Sequence, residues 1–265
     1  MSDARELYHI AEAVTDDAER LFMASIGAAP KHFKAGADFA TQADHEIEAY
    51  LRTTLTTLTG IPVFGEEFGG DSGSPMWVVD PIDGTANYAA GNPMSAILIS
   101  LLVDSTPVLG ITSVPMARQR FGAFDGSPLF FNGQAQPPLE DRPIIAAHVG
   151  FSSISSPRES RFSSQLRQGW LAEISKTYLR PRITGSVGVD LAYTAAGIFD
   201  GAVSLSPFVW DNAAGVVLVR AAGGVVTDLA GNPWVPGAEG VVVGSPRAHE
   251  ALMSTMEKFR FPHPE

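Results

Sequence analysis

Residues 94–103 read MSAILISLLV, and a second apolar run, 107–115, follows after the turn-forming pair Asp104-Ser105. The first run is the longest apolar stretch in the chain. It is about half the ~20 residues that a membrane-spanning helix needs. Two such runs one turn apart read as buried strands of a sheet. The flanking segments supply elements to cover it. Residues 3–26 carry apolar side chains at helical spacing (Leu7, Ile10, Ala11, Val14, Ala18, Leu21, Phe22), with Ser2 or Asp3 available as a cap. Residues 41–58 repeat the pattern with Ile47, Tyr50, Leu51, Leu55 and Leu58. Short strands are expected at 62–64, ending at Gly65-Glu66-Glu67, and at 76–79, ending at Asp80. A hairpin is expected around Asp125-Gly126, joining 119–124 to 128–131. The Pro-rich stretch 134–143 marks a boundary between an N-terminal half, 1–140, and a C-terminal half, 141–265, of one integrated catalytic unit. In the second half the pattern predicts strands at 144–149, 201–205, 225–228 and 241–243. Helices are predicted at 189–197, 212–222 and 246–258. The Ser/Arg-rich stretch 152–164 reads as a surface loop or weak helix start. Strands and helices alternating in blocks predict layered α/β sheets with helices between or outside them.

Charge and cysteine narrow the chemistry. The chain has 265 residues, 18 Lys+Arg, 29 Asp+Glu and no cysteine, giving a net charge of −11. Without cysteine there is no disulfide framework, thiolate zinc site, iron–sulfur cluster or thiol nucleophile. An acidic chain is a poor binder of a nucleic-acid backbone, and the arginines of 158–167 read as a solvated face. The first 20 residues are polar and acidic, unlike a secretion signal. A soluble cytoplasmic protein is therefore expected. An anionic substrate would be repelled unless cations intervene.

Four acids stand at expected element ends: Glu66, Asp80, Asp83 and Asp211. Any one alone reads as a solvated cap. The segment DPIDGT (80–85) is different. Pro81 stiffens the turn and Gly84 permits close backbone approach. Asp80, Asp83 and the Ile82 carbonyl can then face one point, and such oxygens suit a hard divalent cation. A helix starting after Thr85 would aim free N–H groups at the same point and hold a phosphate. The alternative is that Asp83 simply caps that helix.

The strings GEE (65–67), WVVDPIDGTANY (77–88) and WDNAAG (210–215) resemble the inositol monophosphatase family of Mg²⁺-dependent phosphatases. Supporting matches run through Lys34, the segment from Ala40 to Asp44, and the segment from Gly185 to Gly188, so the resemblance covers nearly the whole chain. It implies an αβαβα sandwich of the inositol monophosphatase/fructose-1,6-bisphosphatase type, a homodimer, and lithium sensitivity. It also implies two or three Mg²⁺ per site, held by Glu66, Asp80, the Ile82 carbonyl, Asp83 and Asp211. Asp44 and Thr85 resemble the pair that orients the attacking water, with Glu66 acting beside them. Gly84 and Thr85 would hold the phosphate. Gly185, Ser186, Gly188, Ser204, Asp83 and Asp211 fall at substrate-binding positions. Lys34 falls near the metals or is a surface lysine.

The implied reaction is hydrolysis of a small phosphate monoester, inositol monophosphate first. Ser204 stands where the family carries an inositol-binding glutamate, which leaves other substrates open. Histidinol phosphate is one, with Asp190 as a candidate partner for a cationic amine. Fructose 1,6-bisphosphate and 3′-phosphoadenosine 5′-phosphate are others, with Arg158, Arg161, Arg180 and Arg182 as the available cations. A non-enzymatic regulatory protein on this fold is the rival reading, and a complete set of five acids argues against it. His45 reads as an exposed helix histidine, and Trp77 and Trp210 as packing walls.

Overall fold

A computed structural model describes residues 3–29, 32–33, 39–70, 73–143, 145, 147–151, 153–154 and 162–258. The first helix, α1 (Ala4–Ala24), begins at Asp3, whose carboxylate accepts the Arg5 N–H, and buries Leu7, Ala11, Val14, Ala18 and Phe22 on one face. A two-stranded pair, β1 (His32–Phe33) and β2 (Phe39–Ala40), leads to α2 (Gln42–Thr59). Seven strands then form one sheet in sequence order: β3 (Val63–Gly65), β4 (Met76–Asp83), β5 (Ala96–Val103), β6 (Thr106–Val114), β7 (Gln119–Phe124), β8 (Phe130–Phe131) and β9 (Gln134–Ala135). Only β3 and β4 run parallel; the other neighbours are antiparallel. A short helix, α3 (Thr85–Ala89), sits between β4 and β5.

The second sheet comes from later residues: β10 (His148–Phe151), β11 (Arg180–Arg182), β12 (Gly201–Ser204), β13 (Val225–Thr227) and β14 (Val241–Gly244), in the order β11-β10-β12-β14-β13. Its helices are α4 (Ser164–Ser175), α5 (Val187–Ala195), α6 (Val209–Ala221) and α7 (Pro246–Lys258). Contacts sort these into five layers. Helices α1 and α2 cover one face of the larger sheet, α5 and α6 fill the space between the sheets, and α4 and α7 cover the outside of the smaller one. The fold is therefore the expected αβαβα sandwich: one hydrophobic cluster fills both spaces beside the middle helices, and two others fill the outer spaces.

The middle layer is thin because its motifs are built of small residues. A Cβ at Gly215 would stand 2.4 Å from the Leu191 Cβ, and one at Gly110 would stand 2.5 Å from the Ala214 carbonyl oxygen. Thus α6 presses directly onto β6 and α5, and the AAG of WDNAAG is a packing requirement as well as a signature.

Several elements differ from expectation. Strand β4 continues past Asp80 because its bulge removes the proline problem: Asp80 opposes Leu98 and Asp83 opposes Ala96, so three residues on β4 span two on β5. Pro81 has no N–H to give and sits where the regular ladder is interrupted. Strand β10 starts at His148, later than expected, and Ile145 before it is exposed. Arg167 is not on a solvated face. It is buried in α4 and donates to the carbonyls of Phe162, Ser153 and Leu205. Arg158, Arg161, Lys34 and most of the 152–164 stretch lie outside the described residues. No helix of the described residues is long and apolar enough to cross a membrane.

Candidate active site

The bulge in β4 builds the centre of the site. In a regular strand, residues three apart face opposite sides. The extra residue between Asp80 and Asp83 lets both carboxyls act at one place. Asp80 is buried, and its Oδ1 accepts the Ile82 N–H at 3.0 Å. Burial pushes its carboxyl well above the usual aspartate range, and the carboxylates of Glu66, Asp83 and Asp211 push it further. It also shares a hydrogen bond with Glu66. Three segments thus bring acids around Asp80: the end of β3 for Glu66, the bulge of β4, and the first turn of α6 for Asp211.

Asp83 is held from across the molecule. Its Oδ2 accepts the Ser186 hydroxyl at 2.5 Å and the Gly188 N–H at 2.6 Å, and its Oδ1 accepts the Val187 N–H at 3.3 Å. These donors form the N-terminus of α5, where the helix dipole favours a negative charge. Burial still dominates and raises the Asp83 carboxyl to about 6. Gly188 is required for this approach, since a Cβ there would stand 2.8 Å from the Asp83 Oδ2 and 2.3 Å from Leu98. Asp83 does not cap α3. That helix starts at Gly84, in the left-handed region at φ 81°, with no side-chain cap. Gly84 in turn packs against the Gly185 carbonyl, 3.2 Å from where a Cβ would be.

The Asp44–Thr85 pair is in place. Asp44 stands at the third position of α2 in a capping box, its Oδ2 accepting the Thr41 N–H at 2.8 Å and hydroxyl at 2.6 Å. Its Oδ1 faces the Thr85 hydroxyl at 3.3 Å, and that hydroxyl also reaches the Ile82 carbonyl at 3.0 Å. Burial raises the Asp44 carboxyl above its ordinary value, against the pull of the Thr41 bonds. Trp210, beside Asp211, stacks on Phe208 with centroids 4.7 Å apart, and Trp77 is buried with its indole N–H donating to Thr59. Trp77 is a packing residue, as expected, and Trp210 lies partly exposed against Phe208 and Phe64.

The other expected residues are engaged with partners of their own. Ser204 is buried in β12, and its hydroxyl accepts the Ser206 N–H. Asp190 is 1% exposed beneath Gly150 and accepts from Thr184, so it does not present a carboxylate to a bound amine. Arg180 and Arg182 turn back onto carbonyls of their own segment, Arg182 also meeting His148 at 3.0 Å. His45 is not a free surface histidine; its ring faces Glu67 at 3.4 Å and packs on Phe68.

An oxygen-only donor set gathered in one buried place suits a hard divalent cation. Among the described residues, no three carboxylate or imidazole groups are drawn to ion-holding distance by the chain alone. Like charges around one point repel, and a cation between them relieves the repulsion.

The sequence matches the inositol monophosphatase family over residues 3–260. The chain belongs to the inositol monophosphatase family. It is 45% identical over 248 residues to a probable inositol 1-monophosphatase, ImpA, of Mycobacterium tuberculosis, covering 93% of this chain and 92% of that one. A histidinol-phosphatase of the same organism is 33% identical, covering 84% of this chain and 87% of that one. The Thermotoga maritima IMPase structure superposes with a TM-score of 0.84 at 24% identity, over 94% of this chain and 97% of that one, and shares the fold. The protein is a phosphoric monoester hydrolase of this family. The relatives named as phosphatases support the enzymatic reading over the regulatory one.

Glu48 and Arg52 were not singled out from the sequence, and both engage the loop that carries Glu66. Their partners in that loop are main-chain groups, which leave no residue pattern to read, and their own i,i+4 pairing reads as an ordinary helix ion pair.

Proposed function

We propose that the protein hydrolyses a small phosphate monoester, inositol monophosphate first, with two or three Mg²⁺ at the site. The observation that carries this reading is the convergence of Glu66, Asp83 and Asp211 on buried Asp80 beside the Asp44–Thr85 pair. Glu66, Asp80, the Ile82 carbonyl, Asp83 and Asp211 would hold the ions. When bound, Mg²⁺ supplies positive charge to the phosphoryl oxygens and makes water a stronger nucleophile near neutral pH.

The remaining chemistry belongs to the chain. The Thr85 hydroxyl donates to the Asp44 Oδ1, which leaves an Oγ1 lone pair to accept a hydrogen bond from the attacking water. As the water oxygen bonds to phosphorus the ester P–O bond breaks, the Asp44–Thr85 pair takes up the water's proton and the leaving oxygen takes one from solvent. Glu66 is the second acceptor on that water. The backbone N–H groups of Gly84 and Thr85 hold phosphate oxygens, and the three donors at the start of α5 keep Asp83 aimed at the site. Gly185 and Ser186 border it through Gly84 and Asp83. The protein is further proposed to be a lithium-sensitive, cytoplasmic homodimer, on the strength of the family resemblance.

The 45% identity to ImpA favours inositol phosphate. The histidinol phosphate reading keeps the support of the 33% relative but loses Asp190 as its acid. The decisive assay is phosphate release from inositol 1-phosphate, histidinol phosphate, fructose 1,6-bisphosphate and 3′-phosphoadenosine 5′-phosphate, with and without Mg²⁺. Inositol 1-phosphate is expected to turn over fastest, only with Mg²⁺, and to be inhibited by millimolar Li⁺. Equal turnover in excess EDTA would overturn the cation reading.

A further inference from the structure

Helix α2 carries a second acid on the face that holds Asp44. Glu48 lies one turn further on, at the i+4 spacing that places two side chains together. It is fully buried. Its carboxylate reaches across to a loop: Oε2 accepts the Glu67 N–H at 2.7 Å and Oε1 the Phe68 N–H at 3.1 Å. Arg52, another turn along, donates to the same carboxylate at 2.9 Å. Its guanidinium also donates to the Val63 and Gly69 carbonyls, both at 2.6 Å. Two side chains of one helix therefore grip the loop at its entrance, its middle and its exit.

The residue between these grips is Glu66. On one side Gly65 lies flat against Glu48, with room for no side chain, since a Cβ there would stand 2.1 Å from the Glu48 Oε1. On the other side the Glu67 N–H is bound. The backbone of Glu66 is fixed at both ends, and its side chain reaches Asp80. Charge-assisted bonds to main-chain groups are strong and directional. A carboxylate this deeply buried, tied to a guanidinium and two N–H groups, resists displacement.

We propose that Glu48 and Arg52 are positioning residues that hold the 65–69 loop so that Glu66 can serve as a cation ligand, and thereby set the affinity of the site for Mg²⁺. The inference rests on the reading of Glu66 and Asp80 as ligands. Because Asp44 and Glu48 share one helix face, α2 also locks the Thr85 partner and the Glu66 loop into one relative placement.

The test uses the full chain and Mg²⁺ alone as the probe. In Glu48→Gln, the amide would present N–H groups to main-chain N–H groups and cannot satisfy both. In the metal-free protein, exchange of the Glu67 and Phe68 amides should speed up about tenfold or more while α2 stays protected. The Mg²⁺ dissociation constant, by calorimetry, should rise about tenfold or more, as for the loss of other groups that orient metal ligands. At saturating Mg²⁺, kcat should return to near the parent value, which a merely damaged fold would not do. Arg52→Lys keeps the charge but loses the fork, and should weaken Mg²⁺ about threefold or more. Glu46→Gln, an exposed change on the same helix, should alter nothing. A folded Glu48→Gln protein with unchanged Mg²⁺ affinity overturns the proposal, as does unfolding of both clamp variants, which would make the pair a stability element. A parent chain that binds no Mg²⁺ overturns the ligand reading itself, and the proposal with it.

Discussion

Asp83 and Asp190 are both buried carboxyls beside α5, and the helix treats them in opposite ways. Asp83 comes from β4 and meets the open end of the helix, where three donors converge on it. Asp190 belongs to the helix's own first turn and receives only the Thr184 hydroxyl, while its Oδ2 accepts nothing from the described residues. Burial pushes both upward. The donors hold Asp83 at about 6, whereas Asp190 rises well above the ordinary aspartate range, with the Asp83 charge adding to the rise. Equal burial therefore gives unequal chemistry. Three donors favour the charged form of Asp83, whereas Asp190 has one donor and burial pushes its carboxyl further upward.

The widest separation should appear in catalysis. Asp83→Asn removes a charge from the cation cluster and turns an amide toward the Ser186, Val187 and Gly188 donors. Phosphate release should fall on the order of 10³-fold, several kcal/mol at 1.36 kcal/mol per decade. Asp190→Asn should keep kcat/KM within about threefold, because asparagine keeps the size and the Thr184 contact and removes a charge that burial disfavours. Equal losses in the two variants would erase the distinction.

How far this contrast could be read beforehand depends on the kind of signal. The carboxylates of DPIDGT and WDNAAG were legible because cation chemistry demands acids at short local spacings. A layered α/β arrangement was legible in the apolar strands 96–103 and 106–114, which had to be covered; the five-layer order came only with the family resemblance. The bulge was not legible: Pro81 reads as a stop, and only the register with Leu98 and Ala96 shows the strand passing through it. Helix α4 hid because it buries an arginine beside Trp170 and Ile174, which blurs its apolar stripe. Strand β11 is Arg-Pro-Arg, a polar edge with no alternating pattern. The partners of Asp83 lie over 100 residues away, and no local pattern encodes them.

A smaller effect should appear in stability against pH. A carboxyl whose folded pKa exceeds its unfolded value binds more protons when folded, so stability is present at low pH and is lost as pH rises through the folded value. From 3.8 to about 6, Asp83 is worth about 3 kcal/mol in all at 1.36 kcal/mol per unit. About 1 kcal/mol of that falls between pH 5 and 7. Asp80 and Asp190 shift the same way and add to it. Urea unfolding in EDTA should therefore show a less stable protein at pH 7 than at pH 5, and Mg²⁺ should restore the difference by favouring the ionised acids. Stability rising from pH 5 to 7 without metal would contradict the assignment of burial as the dominant cause.

The smallest effect belongs to Asp190→Asn in the metal-free protein, and its sign is informative. The Thr184 hydroxyl stands 2.8 Å from the Asp190 Oδ1 and 3.0 Å from the Ser186 carbonyl, yet it has one proton to give. An ionised Asp190 would compete for that proton with the carbonyl that helps shape the entrance to α5. A protonated Asp190 donates to the Thr184 oxygen instead, and Thr184 then donates to Ser186, so both contacts are satisfied. Asparagine repeats this pattern through its amide N–H. At pH 7 the substitution should therefore change stability by less than about 1 kcal/mol, or increase it, because it deletes a proton-linked penalty. It should also flatten the decline between pH 5 and 7 by the share Asp190 contributes. A clear destabilisation at pH 7, with the slope unchanged, would mean that Asp190 is ionised in the fold and that the two aspartates are more alike than their partners indicate.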